Sequence, residues 1–365
     1  MKSLAFLVAA ALVACSTQPA ADKAAPTSSY AAVIDRLSDE EEFNGIALVA
    51  HGEDILFEEA RGLANVDPPR KMTTEHASRI ASVTKQFTAA TILRLMEQGM
   101  LSLDDTVADH LPQFAGLPAE KVTIAQLLNH SGGLPRPERG DTKETFRTSA
   151  DDRMQGFMRL PLDFAPGTQH SYSNSGYTIL GAIIEKTTGK EYAAAVTEIL
   201  LTPLGLSETA AVPDGAAHPM LASDLSRDTG QLTQDDYRVS DRGAPWSAGM
   251  LVSTPRDLLA WTRKLHSGAV FQNSATFELM LMTPGGWEEN RAFDNWAYAS
   301  GLFRVRRDNG RAFWFHDGRL GSYLADVRYY PEEDLTIVVL ETANGDVTAS
   351  ANALEDYAFS TRGAQ

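Results

Sequence analysis

Hydrophobic and polar positions divide the chain into strand-like text at both ends and helix-like text between them. From Asn44 to Leu63, "NGIALVAHGEDILFEEARGL" holds two β-rich runs around His51-Gly52-Glu53-Asp54, which predicts a hairpin with a polar turn. The next segment, "RIASVTKQFTAATILRLMEQG" from Arg79 to Gly99, reads as one helix. At about 100° per residue, Gln86, Arg94, Glu97 and Gln98 gather on one arc, as on a solvated face. Lys85 instead falls among Ala89, Ile92 and Met96, with Ser82 one turn earlier on the same side. From Asp104 to about Asn290, "TIAQLLNHSGGLP", "TILGAIIEKTTGKEYAAAV" and "TPRDLLAWTRKLHSG" read as short amphipathic helices, each closed by a glycine. From about Trp296 the strand signal returns in "YASGLFRV", "RAFWFHDG", "SYLADVRYYP" and "LTIVVLETA", joined by the turn-like "RRDNG", "RLG" and "EED". A last helix is expected from about Thr348 to Phe359.

Strands at both ends with helices between predict an α/β domain over 31–365. Its antiparallel sheet is built from both termini and flanked by helices (31–103 and 296–365), and a mainly helical subdomain is inserted at 104–295. The cleft between the two parts is the default place for chemistry.

The amino-terminal text carries a different signal. Residues 1–15 have one early Lys and then an apolar run too short to span a bilayer as a stable helix, which reads as an export signal. Leu12-Val13-Ala14-Cys15 resembles a bacterial lipobox, so the expectation is a lipoprotein tethered through Cys15 on the periplasmic side of the cell envelope. The alternative is a plain secretory signal with an incidental cysteine and a soluble periplasmic product. Residues 16–30, small, polar and Pro-containing, read as a flexible tether. Cys15 is the sole cysteine, so no disulfide forms within the chain and stability must come from the core. Lys and Arg total 32 against 48 Asp and Glu, a formal charge of −16, and no basic cluster appears. Those features make nucleic acid a poor partner, and none is expected. Oligomeric state leaves no mark on the sequence.

Three short motifs carry candidate chemistry. Of nine lysines, only Lys85 has a serine three residues before it, and Ser-x-x-Lys on a helix sets hydroxyl and amine about one turn apart. Unpaired backbone N–H groups at a helix start favour negative charge near Ser82, and partial desolvation would lower the Lys85 pKa toward a neutral base. Composition alone yields roughly one such tetrapeptide in a chain of this size, and an N-cap serine with a snorkelling lysine is the structural alternative. Tyr172-Ser173-Asn174 is the sole Tyr-x-Asn among ten tyrosines, in a loop just before a helix. There a phenol could move a proton and an amide could bind a carbonyl, or both could merely pack. His-x-Gly occurs at His130, His266 and His316. The first two follow helices and read as helix-ending turns, while His316 ends a β-rich run before Gly318 and Gly321, where a backbone could approach a ligand closely. A strand-end histidine with its polar tip in water is the competing reading for His316.

In this order, together with "LLNHSGGLP", "PGTQHSYSNSGYTILGAIIEKTTG" and "SAGMLVSTPRDLLAW", these motifs make the chain resemble the serine β-lactamase and penicillin-binding-protein superfamily. The likeness is to the branch of class C β-lactamases, D-alanyl-D-alanine carboxypeptidases, D-aminopeptidases and β-lactamase-fold esterases. The resemblance implies a β-lactamase/DD-peptidase-like fold and a serine hydrolase forming an acyl-enzyme on an ester, amide or peptide bond, with no cofactor or metal. It implies Ser82 as nucleophile, Lys85 as the group that helps deprotonate it, Tyr172 as proton shuttle and Asn174 as substrate-orienting amide. The segment of His316, Gly318 and Arg319 would bind substrate, with the backbone N–H groups of Ser82 and Arg319 as oxyanion hole. The Lys-Ser/Thr-Gly of lactamases is absent and His316-Asp317-Gly318 stands in its place. A mostly neutral histidine beside an aspartate should hold a free carboxylate less well, although Arg319 could compensate. That lowers the expectation of β-lactam hydrolysis and raises esterase, amidase or peptidase activity. A class C-like β-lactamase and a catalytically idle penicillin-binding sensor or scaffold stand as the alternatives. An α/β-hydrolase is excluded because Gly-x-Ser-x-Gly is absent. A zinc hydrolase is excluded because the eight histidines are scattered and no His-Glu-x-x-His occurs.

Overall fold

The apolar runs at the two ends of the chain pair with each other. The computed structural model describes residues 29–40, 43–135, 150–212, 218–227, 232–234, 246–284, 288–289 and 295–362. The signal segment with Cys15, and the tether up to residue 28, lie outside them. The strands of the main sheet are β1 (Gly45–His51), β2 (Asp54–Arg61), β3 (Glu288–Glu289), β4 (Asn295–Tyr298), β5 (Phe303–Arg306), β6 (Ala312–Leu320), β7 (Tyr323–Tyr330) and β8 (Leu335–Glu341). Their order is β3-β4-β5-β6-β7-β8-β1-β2, every pair antiparallel. The β1–β8 pairing, from Gly45 opposite Glu341 to His51 opposite Leu335, joins the two ends of the domain.

The central strands read as unbroken apolar runs because both of their faces are covered. The helices that matter for the site are α1 (Tyr30–Glu40), α2 (Thr84–Glu97), α3 (Asn174–Thr188), α4 (Pro255–His266) and α5 (Val347–Arg362). Ala47, Val49, Ile337 and Val339 face one way and pack with Ile34 and Leu37 of α1 and Ala351 and Leu354 of α5. Leu48, Ala50, Val338 and Leu340 face the other way, into a larger core shared with α2, α3 and α4. Successive strand residues point to opposite faces, so one apolar run serves both layers.

Several sequence expectations change in detail. The Arg79–Gly99 segment is not one helix: Ser78–Arg79 pairs as a short strand with Leu251–Ser253, a 3₁₀ turn covers Ala81–Val83, and α2 begins at Thr84. Only part of the solvated face that its wheel predicts is present: Arg94 is half-buried and Gln98, just past the end of α2, is exposed. Gln86 is buried and accepts from the Trp261 indole N–H at 2.8 Å, and the Glu97 side chain is covered. Gln86 and one carboxylate oxygen of Glu97, which accepts from the Gln272 and Asn273 N–H groups, are satisfied by neighbouring chain, because α2 lies between the sheet and the helical part. The "RLG" join is shorter than expected, since β6 continues through Arg319 and Leu320 and the chain reverses at Gly321-Ser322. Within the 104–295 segment, α4 lies against β1 and β8, and its Arg256 pairs with Glu58 of β2 at 2.7 Å.

Beneath α5 the sheet holds a buried charge cluster. Arg328 and Asp326, two apart on β7, are fully buried and joined through two hydrogen bonds of 2.8 and 2.9 Å. A third Arg328 nitrogen reaches Glu355 of α5 at 2.9 Å, and Arg307 and Arg311 reach the same carboxylate at 2.8 and 2.6 Å. Burial pushes the Glu355 carboxyl up, but Arg328 and then Arg311 and Arg307 outweigh it and leave the group below its usual range. Arg328→Ala should strand the buried Asp326 carboxylate, take one of three guanidinium partners from Glu355, and lower unfolding stability in urea by about 3–5 kcal/mol. A loss under about 1 kcal/mol would contradict this account.

Candidate active site

Ser82 sits in the strained turn that precedes α2. Its neighbour Ala81 holds φ +44°, the left-handed region that a Cβ penalises, so the surrounding packing must enforce the turn. Ser82 is half-buried, whereas Lys85, in the first turn of α2, is fully buried. The Lys85 Nζ lies 3.1 Å from Ser82 Oγ and donates to the Ala248 carbonyl at 2.7 Å. It also stands over the Tyr172 ring, 4.9 Å from its centroid, and 5.6 Å from that of Tyr177. Burial pulls the amine down to about 7, with Asp317 offsetting part of the drop. Near neutrality Lys85 is therefore divided between a charged donor and a neutral amine with a free lone pair.

Tyr172 ends the loop that leads into α3. Ser173 caps the helix by accepting from the Ser175 N–H at 3.3 Å, and Asn174 is the first helical residue, with its Oδ1 buried and unpartnered among the described residues. The Tyr172 ring is 6.1 Å from that of His316. His316 lies inside β6 and is 1 % exposed, so the reading with its polar tip in water is overturned. Its Nδ1 is 2.6 Å from the Asp317 carbonyl, which can only accept, and this places the proton on Nδ1. Nε2 then accepts from the Tyr298 hydroxyl at 3.3 Å. Burial, and secondarily Lys85, push His316 down to about 3, so the imidazole is neutral at pH 7.

The strand edge completes the cleft. Strand β5 pairs with β6 only over Ala312–Phe315, and the Ala81–Val83 turn lies against the part of β6 beyond it. Gly318 permits the approach: a Cβ there would stand 2.5 Å from the Ile80 carbonyl oxygen and 2.9 Å from the Ser82 nitrogen. Gly301, at φ +80°, likewise presses its backbone onto the Lys85 carbonyl. Arg319 is exposed and one residue out of phase with His316 and Gly318, so its side chain leaves β6 on the opposite face. Asp317 shares that face, so the Arg319 guanidinium stands on the same side of β6 as the carboxylate it is expected to offset, while the Arg319 backbone remains at the cleft edge.

Comparison with known proteins matches this arrangement to a family. A model for the Beta-lactamase family matches residues 30–359. The chain belongs to the Beta-lactamase family. Protein flp of Staphylococcus aureus (strain COL) is 29 % identical over 311 residues, 82 % of this chain and 59 % of the relative. The chain thus spans about three-fifths of the length of that relative. Penicillin-binding protein 4* of Bacillus subtilis (strain 168) is 35 % identical over 187 residues, 48 % of this chain and 40 % of that one. The crystal structure of a D-amino acid amidase from Ochrobactrum anthropi SV3 superposes with a TM-score of 0.76 at 21 % identity, covering 91 % of this chain and 99 % of that one. A penicillin-binding protein from Bacillus halodurans gives 0.76 at 22 % identity, covering 88 % and 98 %. The shared fold confirms the expected β-lactamase-like architecture.

Within this Beta-lactamase family chain, Ser82, Lys85, Tyr172, His316 and Gly318 come together, Asn174 lies beside them at the start of α3, and Cys15 is outside the described residues. Sequence reasoning missed the surrounding groups: the Ala248 carbonyl, the hydroxyls of Tyr177 and Tyr298, and the ring of His130. Ala248 is 163 residues from Lys85, and no spacing rule spans such a distance. The quoted "LLNHSGGLP" and "SAGMLVSTPRDLLAW" held the residues without revealing their contacts. Gly318→Ala should overpack the junction of β6 with the Ser82 turn and cost about 1–3 kcal/mol. An unchanged denaturation midpoint would contradict the close approach.

Proposed function

We propose that the protein is a serine hydrolase that acts through an acyl-enzyme on ester or amide bonds. The observation that carries this reading is a fully buried lysine amine, lowered to about 7, at 3.1 Å from the hydroxyl of a serine in a strained turn. A neutral Lys85 can accept the Ser82 proton as Oγ attacks the substrate carbonyl carbon. The backbone N–H groups of Ser82 and Arg319, on two segments that Gly318 lets meet, would receive the developing oxyanion. Tyr172, under the Lys85 amine, would pass the proton to the departing oxygen or nitrogen as that bond breaks and an ester to Ser82 remains. Water then attacks the ester carbonyl, gives its proton back through the same groups and releases the acid with Ser82 restored. Asn174 would orient the substrate carbonyl or N–H.

The charge pattern supports neutral substrates. The third motif offers a neutral buried imidazole, with Asp317 half-exposed beside it and Arg319 exposed on the same face of β6 as Asp317. A substrate with a free carboxylate next to the scissile bond would meet an uncharged imidazole and Asp317 where a lysine would have held it, so esters and D-amino-acid amides fit better than β-lactams or D-Ala-D-Ala peptides. The amidase name of one structural neighbour is in line with the amide part of this range, whereas the penicillin-binding name of the Bacillus subtilis relative is not. A generic p-nitrophenyl ester should be turned over, and Ser82→Ala should lose at least about 10³-fold in kcat. Because the working base is the unprotonated amine, kcat/KM should rise with pH through about 7. Unchanged turnover in Ser82→Ala, or a rate falling through that range, would end this assignment.

We also propose that a lipid on Cys15 holds the hydrolase at the periplasmic side of the cell envelope, on the motif Leu12-Val13-Ala14-Cys15. Two lipid chains or more suffice for stable anchoring. Cys15→Ser should move the protein from the membrane pellet to the soluble fraction. An unmodified Cys15 in intact-protein mass spectrometry would argue instead for the plain secretory route.

A further inference from the structure

We infer that His130 is the positioning residue for Tyr172, holding the peptide groups on both sides of it; this rests on the reading of Tyr172 as proton shuttle. The His130 carbonyl accepts from the Ser171 N–H at 3.0 Å, and its ring Nδ1 accepts from the Ser173 N–H at 3.3 Å. Tyr172 is therefore bracketed by two hydrogen bonds from a single residue. The His130 ring also packs on the Tyr172 ring, with centroids 4.4 Å apart, and on that of Tyr298 at 4.6 Å. The same stretch of chain holds the next residues as well. The Pro135 carbonyl accepts from the hydroxyls of Ser173 at 3.1 Å and Ser175 at 2.6 Å, and the Leu128 carbonyl accepts from Tyr177 at 2.8 Å.

His130 adopts its conformation at a cost that its side chain must justify. It holds φ +59°, where glycine or asparagine is favoured, and Gly132 and Gly133 stand two and three residues on. Glycine at 130 would make the same turn without strain but would supply neither the acceptor nor the ring. As a Nδ1 acceptor the imidazole is neutral and carries its proton on Nε2. Burial, followed by the Lys85 charge, keeps His130 well below its ordinary range, so the acceptor persists across the working pH. A clamp of this kind matters because misplacement of a proton-transfer group by about 1 Å costs about 10²-fold in rate.

The variants His130→Gly and His130→Asn separate positioning from folding, since both residues tolerate the left-handed backbone and Asn keeps an acceptor. On a p-nitrophenyl ester, the full-length His130→Gly protein should lose about 10- to 100-fold in kcat, with KM within about 3-fold, and His130→Asn should recover about tenfold of the loss. In the Tyr172→Phe background the His130→Gly loss should shrink to under about 3-fold, the non-additivity of two groups acting as a unit. An equal loss in both backgrounds, or a His130→Asn protein as impaired as His130→Gly, would overturn the inference. If Tyr172→Phe alone costs activity and His130→Gly does not, only the inference falls. If Tyr172→Phe is fully active, the role of Tyr172 falls first and the inference with it.

Discussion

The structure around the cleft depends on keeping one amine out of water. Lys85 is fully buried, with the Ala248 carbonyl and the Ser82 hydroxyl as its polar partners and the rings of Tyr172 and Tyr177 beneath it. A charged ammonium in that place is costly, and the cost appears as a pKa near neutrality. For burial to be complete, α2 must be surrounded on all sides. The sheet, α4, α3 and the 246–250 segment supply this cover together with the 192–201 and 274–281 segments. The half-helical, half-sheet architecture is thus the means by which a lysine can be desolvated beside a serine that remains half-open to solvent.

The close meeting of β6 with the Ser82 turn places a second constraint on the cleft. A side chain at Gly318 would hold the strand away, and the next residues in register, His316 and Arg319, then acquire opposite roles. The imidazole of His316 turns inward, neutral and bonded to Tyr298, while the Arg319 side chain turns to the other face and solvent. Strand alternation produces this split, and it puts Arg319 on the same face as Asp317.

Far from the cleft, the two faces of the sheet are secured by different chemistry. The face under α2, α3 and α4 packs through apolar side chains, whereas the α5 face adds to its apolar contacts Arg328, Asp326 and Glu355 in a connected set of hydrogen bonds. Such a cluster helps fix the register of α5 on β7, because a buried charge is costly unless its partners are in place.

The sequence by itself determined the elements whose signals are local. The hairpin around His51–Asp54, the strands near the carboxyl terminus, the closing helix and the Ser82-to-Lys85 spacing are set by period and turn chemistry within a few residues. The odd placement of Lys85 was also legible, since a wheel shows which residues share an arc. What covers each arc was not. Gln86 and Glu97 read as solvated and are buried, because Trp261 and the 270–273 segment reach them from more than 170 positions away. His130 read as a helix-ending turn, which its backbone is, while its second role arises from contact with a loop 40 residues later. Local pattern fixes what a residue can do. Only the tertiary structure, by deciding what excludes water from it, decided that the Lys85 amine titrates near neutrality and that His316 is uncharged.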